Sequence, residues 1–130
     1  MLPLSHINAK FSLDGETYEV EHFDINFEQP TDFRGQPQHE IGGGQMTLHL
    51  SQIPSNNLYL WAKTSTSRKS GVILFQTDVG MTVMKVEFSN AYCINLTRQI
   101  NAHTGTNTTL VISSEKVKIN GIEHDNVWAK

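Results

Sequence analysis

The stretch Met84-Lys-Val-Glu-Phe-Ser-Asn-Ala-Tyr-Cys-Ile-Asn-Leu96 decides how the chain reads. Its even positions are Met84, Val86, Phe88, Asn90, Tyr92, Ile94 and Leu96, large and apolar except at Asn90. Its odd positions are Lys85, Glu87, Ser89, Ala91, Cys93 and Asn95. Successive side chains of a strand point to opposite faces, so this alternation predicts a long strand with one face in a core and one face wetter. The run exceeds the usual length of ~5–6 residues, and Ser89-Asn90-Ala91 is where a bend or bulge is expected. A strand this long needs partners along its whole length.

The flanking sequence supplies them. Upstream, Ala9, Phe11 and Leu13 alternate with Lys10 and Ser12, and Asp14-Gly15 follows as a hairpin turn whose two positions need positive φ. The return strand covers residues 17–28, with Tyr18 and Val20 in one phase and Phe23, Ile25 and Phe27 in the other, which puts a bulge near Glu21-His22. Residues 29–45 contain Pro30, Pro37, Gly35 and Gly42-Gly43-Gly44 and show no periodicity; they read as a long loop, functional or ordered by a partner. Met46, Leu48 and Leu50 mark the next strand. A short helix of about three turns follows, capped by Ser55 or Asn56, carrying Leu58, Trp61 and Ala62, and stopped by Arg68-Lys69-Ser70-Gly71. Residues 71–77 and 108–119 read as further strands, the latter with a phase slip near Ser114-Glu115, and a short end segment follows Asn120-Gly121. About seven strands and one helix, with phase slips where strands bend, predict a mainly β fold: a small antiparallel β-barrel or bent sandwich with one short flanking α-helix, in one domain over residues 1–130.

Composition narrows the function. The 130 residues are 38% hydrophobic and 18% charged with a net charge of −3, and no basic stripe suggests nucleic acid. Cys93 is the single cysteine, so no intrachain disulfide forms. Met1-Leu-Pro-Leu-Ser-His-Ile lacks the basic and apolar regions of a secretory signal, and no apolar run approaches the ~18 residues of a membrane span. The expectation is a protein made in the cytoplasm, without membrane insertion, that leaves the cell, if it does, by another route than general secretion.

No catalytic or metal-binding constellation stands out. His6, His22, His39, His49, His103 and His124 show no paired ligand spacing. Gly42-Gly43-Gly44 precedes a strand and lacks the Lys-Ser/Thr of a phosphate loop; it reads as backbone freedom where a strand begins. Cys93 reads as an inert thiol inside a strand. Asp14, Asp24, Asp32, Asp78 and Asp125 fall in or beside turns. Asn95-Leu-Thr97 and Asn107-Thr-Thr109 match the glycosylation sequon but lack a secretory context. No catalytic residue, metal or cofactor is expected. Trp61 and Trp128 read as core and as a tail anchor, and Phe88 and Tyr92 join them as core candidates.

Several pieces in a fixed order resemble the Hcp family, the tube-forming proteins of type VI secretion systems, in particular the Bacteroidetes-type versions. They are Leu13-Asp-Gly15 with Tyr18-Glu-Val20; Thr31-Asp32, Gly35 and Pro37; Gly43-Gly44 leading into Thr47-Leu48; Leu58 and Trp61; Gly71, Ile73 and Phe75; Glu87-Phe88 with Ala91-Tyr92; and His124, Asn126 and Trp128. Gln36 stands where the family pattern usually has arginine. The resemblance implies a homo-hexameric ring, ring-on-ring stacking into a hollow tube, a surrounding contractile sheath, a spike and baseplate complex, and effector proteins as cargo. It places ring and stacking contacts at Asp32, Arg34, Gly35, Pro37, Gly43 and Gly44. The lumen wall is then a polar strand face, that of Lys85, Glu87 and Ser89 or its counterpart on residues 108–119.

Two other readings stay open at this point. One is a monomeric barrel that binds a small ligand, which requires an apolar interior pocket and an open mouth. The other is a ring-forming adaptor or chaperone for effectors that builds no long tube. An enzyme on a β-barrel has no motif to support it.

Overall fold

Asp14 and Gly15 reverse the chain with φ of 52° and 78°, both positive as a two-residue type I′ turn requires. They join β1 (Ile7–Leu13) to β2 (Glu16–Glu28). The structure, a computed structural model, describes residues 6–28 and 42–126. The contacts expected at Asp32, Arg34, Gly35 and Pro37, and the anchor expected at Trp128, fall outside these residues. The chain continues through β3 (Gly42–Leu50), α1 (Asn56–Lys63), β4 (Lys69–Thr77), β5 (Thr82–Asn101), β6 (Gly105–Ile119) and β7 (Ile122–Asp125).

The strands form one antiparallel sheet in the order β3-β2-β1-β4-β5-β6-β7, and β3 also pairs with β6. That second pairing closes the sheet into a barrel of six strands, with β7 added beside the far end of β6. The interior is filled by Phe11, Met46, Leu48, Leu50, Ile73, Val86, Leu110 and Ile112, each fully buried. Phase slips mark where strands bend. The β2–β3 register jumps between Val20 and His22, at the bulge read from the sequence. In β5, Asn90 takes φ of 58°, a left-handed value that asparagine tolerates better than most residues. Its Nδ2 donates to Glu115 Oε1 at 2.7 Å, beside the point where β6 buries Ser114 and Glu115 in succession. The two longest strands therefore bend together.

The kink at Asn90 corrects the single apolar face read along β5. Val86 and Phe88 are buried, but beyond Asn90 the buried residues are Ala91 and Cys93. Tyr92 is only partly buried on the opposite face, where its hydroxyl accepts a hydrogen bond from Arg68 Nε at 2.7 Å, and Ile94 is exposed. The small Ala91 and Cys93 leave room for Trp61. Its indole stacks on Phe88 with an interplanar angle of 6°, and its Nε1 donates to Ala91 O at 3.1 Å.

Two boundaries also differ from the sequence reading. α1 ends at Lys63, two turns long, not near Gly71. Arg68 precedes β4, and Lys69, Ser70 and Gly71 are in it. Gly71 is needed there because a Cβ would sit 2.7 Å from Phe88 Cζ and 2.8 Å from Ser12 O. β3 likewise begins at Gly42 rather than Gln45. A Cβ on Gly43 would lie 2.3 Å from Asn26 O, so the glycines that read as loop allow strand against strand.

Candidate assembly surfaces

Among the described residues, pairing stops short on β2 and β5, which leaves two stretches of sheet edge besides the outer side of the short β7. The β1–β2 ladder ends at the Ala9–Val20 pair, so among the described residues 21–28 pair on the β3 side alone. The β4–β5 ladder ends at Lys69–Ala91, and among the described residues the strand pairing of 93–101 is with β6. These two edges border one four-stranded surface, ordered β2-β3-β6-β5. Open backbone donors and acceptors along a strand are a template for another chain.

The outer face of that surface is built from register-matched rows. His22, His49, Thr109 and Thr97 form one row, and Asp24, Thr47, Val111 and Asn95 the next. Asn26 lies opposite Gln45, Tyr92 opposite Ser113, and Gln99 opposite Asn107. Asp24 is the one formal charge in these rows. The outer face of the remaining strands differs. Ser12, Val72, Glu87, Lys118 and Glu123 lie in one row, flanked by Lys10, Leu74 and Lys85 and by Ser89, Lys116 and Asp125. Lys85 pairs with Glu87 at 3.8 Å and Lys116 with Asp125 at 3.9 Å. A shallow cleft of ≈ 450 Å³ opens on this face over Gly71, between Ser70, Ser89 and Lys116.

The titratable groups serve structure. Glu16 accepts hydrogen bonds from Ser55 Oγ at 2.8 Å, Asn57 Nδ2 at 3.1 Å and the Tyr18 hydroxyl at 3.3 Å. These bonds, Ser55's foremost, hold its carboxyl below the usual carboxylate value. Ser55 is the N-cap of α1, but its hydroxyl serves Glu16 instead of the helix. Burial pushes the Cys93 thiol up to about 11, which suits an inert group and not a nucleophile. His22 and His49 meet edge to face with ring centroids 5.1 Å apart, a pairing that their separation of 27 positions hid in the sequence. Among the described residues no three His, Cys, Asp or Glu side chains are grouped so as to hold a metal ion. No described helix is long and apolar enough to cross a membrane.

Of the expected contact residues, the structure describes Gly43 and Gly44. Both lie at the start of β3, against Asn26 and Phe27 of β2. Trp61 and Phe88 are buried together, at 1% and 3% exposure, and Tyr92 is not with them. Sequence reading missed the two open edges, which depend on where each ladder ends. It named Asn126 only as part of the family pattern and missed its role, in which Nδ2 bridges Gly43 O and Ser114 O at 2.9 Å each.

These features define a class: a small antiparallel barrel with a filled interior and, among the described residues, two open stretches of edge bordering one face that carries a single formal charge. The chain belongs to the family of the hemolysin coregulated protein Hcp (TssD), whose model matches residues 5–129. That family consists of structural tube proteins of type VI secretion. No curated protein matches the chain in sequence. Among solved structures, Hcp1 from Flavobacterium johnsoniae is similar with a TM-score of 0.84 and 24% identity, over 92% of this chain and 99% of that one. Hcp1 from Salmonella typhimurium gives 0.73 and 12% identity, over 87% and 85%. A chain of the anti-feeding prophage baseplate gives 0.61 and 14%, over 94% and 97%. At these identities the likeness is one of fold.

Proposed function

We propose that this chain is the subunit of a type VI inner tube, closing as a homo-hexameric ring whose copies join the open β5 edge of one to the open β2 edge of the next. The observation that carries this is that both open edges border the same four-stranded surface. Such an arrangement is heterologous, head to tail, and a rotation that closes turns it into a ring. Ring closure also removes the exposed edges, which an isolated barrel would leave as an aggregation hazard.

In this reading the face of Thr47, His49, Thr109 and Thr97 lines the lumen. Barrels of ~16–18 strands already leave an aqueous channel, and several four-stranded surfaces in a ring leave a wider one. A wall of hydroxyls and amides hydrates well, and its single formal charge, Asp24, gives little to trap a passing protein. Rings stack into a tube, and a sheath, a spike and baseplate, and effector cargo are the partners. Export follows synthesis in the cytoplasm and needs no signal peptide. The filled interior counts against the ligand-carrying barrel, because Phe11, Leu48, Ile73 and Ile112 occupy the space its ligand would need.

The test is the mass of the purified protein by light scattering, with negative-stain images of the same peak. A hexamer-sized species with ring views is expected. A monomer at every concentration, still a monomer when mixed with sheath and spike proteins of its own system, would overturn the proposal.

A further inference from the structure

The seam between β3 and β6 is only half closed by ladder pairs. It runs from Leu50–Thr108 to Met46–Ile112 and ends there. Beyond it, Gly43 and Gly44 take φ of 129° and 78°, and β3 leaves β6 while staying paired to β2. By this point β2 has already left β1. Residues 26–28 and 42–45 are thus a two-stranded ribbon at the barrel margin, and a two-stranded hairpin is marginal by itself.

Asn126 spans the split. Its Nδ2 donates to Gly43 O on β3 and to Ser114 O on β6, 2.9 Å each. Its backbone N–H donates to Glu115 O at 2.8 Å. Its Oδ1 lies 2.8 Å from His124 Nε2. Two carbonyl acceptors identify the amide nitrogen, so Oδ1 accepts and the His124 proton is on Nε2. The His124 ring in turn stands edge-on to Phe27, centroids 5.0 Å apart. A Cβ on Gly44 would meet Val117 Cγ2 at 3.2 Å and His124 Cδ2 at 3.6 Å. One side-chain amide, oriented by one imidazole, takes the place of the missing ladder pairs.

We propose that Asn126 is a latch that holds the β2–β3 ribbon to β6 and β7, and that it is thereby a positioning residue for the open β2 edge. The second half of this rests on the tube reading, because the edge it positions is the one offered to the next copy. The latch itself does not. Without it, two partly buried carbonyls each lose a donor, and the side-chain bridge from the ribbon to β6 is gone.

The test uses Asn126→Asp, which keeps the size and removes both donors, and His124→Phe, which keeps a ring against Phe27 and removes only the bond to Asn126. Hydrogen exchange of the full chain, read by mass spectrometry, should accelerate about tenfold at residues 42–46 and 113–116 in Asn126→Asp, less in His124→Phe, and stay unchanged at residues 72–75. Unaltered exchange at 42–46 in both variants would overturn the latch, whatever assembly does. In the same samples, rings should dissociate at a protein concentration about tenfold higher than for the unaltered chain. Faster exchange with the same ring stability would overturn the positioning role and leave the latch standing. If the unaltered chain formed no rings at all, the tube reading would fail while the exchange data still decided the latch. If Asn126→Asp did not fold, His124→Phe would carry both measurements.

Discussion

The two outer faces of the barrel share strands and differ in chemistry. β5 and β6 run through both. On one side of their common kink they show Lys85, Glu87, Lys116 and Lys118 to solvent; on the other they show Asn95, Thr97, Thr109 and Ser113. The change falls at Asn90 and Glu115, where both strands reverse phase. The charged half has neighbours on both sides of β5, and the uncharged half has β5 paired on one side alone. Charge therefore crowds the outer rows where the sheet is complete, whereas the outer rows of the open half carry Asp24 alone. Unpaired edges in monomeric proteins are usually defended with lysine or proline; neither residue occurs in 21–28 or 92–101, as expected of edges that the proposed ring would cover.

The strongest way to break this contrast is at the junction of the halves. Trp61→Ala should cost about 3–5 kcal/mol, since the indole is buried and its Nε1 is bonded to Ala91 O; urea unfolding would measure it, and an unchanged midpoint would remove Trp61 from the core. Gly71→Ala should cost about 1–3 kcal/mol by overpacking, because the new Cβ meets the Phe88 ring and Ser12 O below 3 Å. The charged half would then loosen first, visible as faster exchange at β4.

The contrast is sharpened by moving charge across it. Thr47→Lys on the uncharged face should leave unfolding within about 0.5 kcal/mol of the unaltered chain. It should still lower ring yield or cargo uptake. Ser89→Lys on the charged face should change neither, and equal effects from both would show that the faces are equivalent. The smallest expected effect concerns pH. Glu16 has its folded pKa lowered by its hydrogen bonds, chiefly from Ser55. Its contribution is therefore present above the unfolded value of about 4.3 and is lost as pH falls through the lower folded value. Glu16→Gln should flatten the fall in stability over that acid range, and an identical acid profile would remove Glu16 from the anchoring of α1.

Much of the fold was legible because its turns and bulges obey local rules. Asp14-Gly15 announces positive φ at two positions, and the slip from Val20 to Phe23 announces a bulge. Asn90 was legible as a bend, but not the face it chose. The sequence favours burying the larger Tyr92 and Ile94, whereas the fold buries Ala91 and Cys93 because Trp61, 30 positions away from Ala91, already fills the space. Gly71 looked like a helix stop for a similar reason: the ring that requires a glycine there belongs to another strand. The open edges were not legible at all. An edge is open because a neighbouring strand ends or turns away, and that depends on register between segments far apart in the chain. The family resemblance carried the functional reading further than the residues alone, which gave only the absence of a catalytic set.

The β5–β6 ladder runs from Val86–Ile119 to Asn101–Gly105 without leaving either strand. A load directed along those strands is shared by all of its hydrogen bonds at once, while a load across them would open the bonds one after another. The barrel therefore resists shear best along its longest hairpin, on either side of the bend at Asn90 and the register shift between Cys93 and Asn95, and least across its seams. A subunit pushed along that hairpin would transmit thrust from one half of its wall to the other through backbone alone, with no side-chain contact in the path.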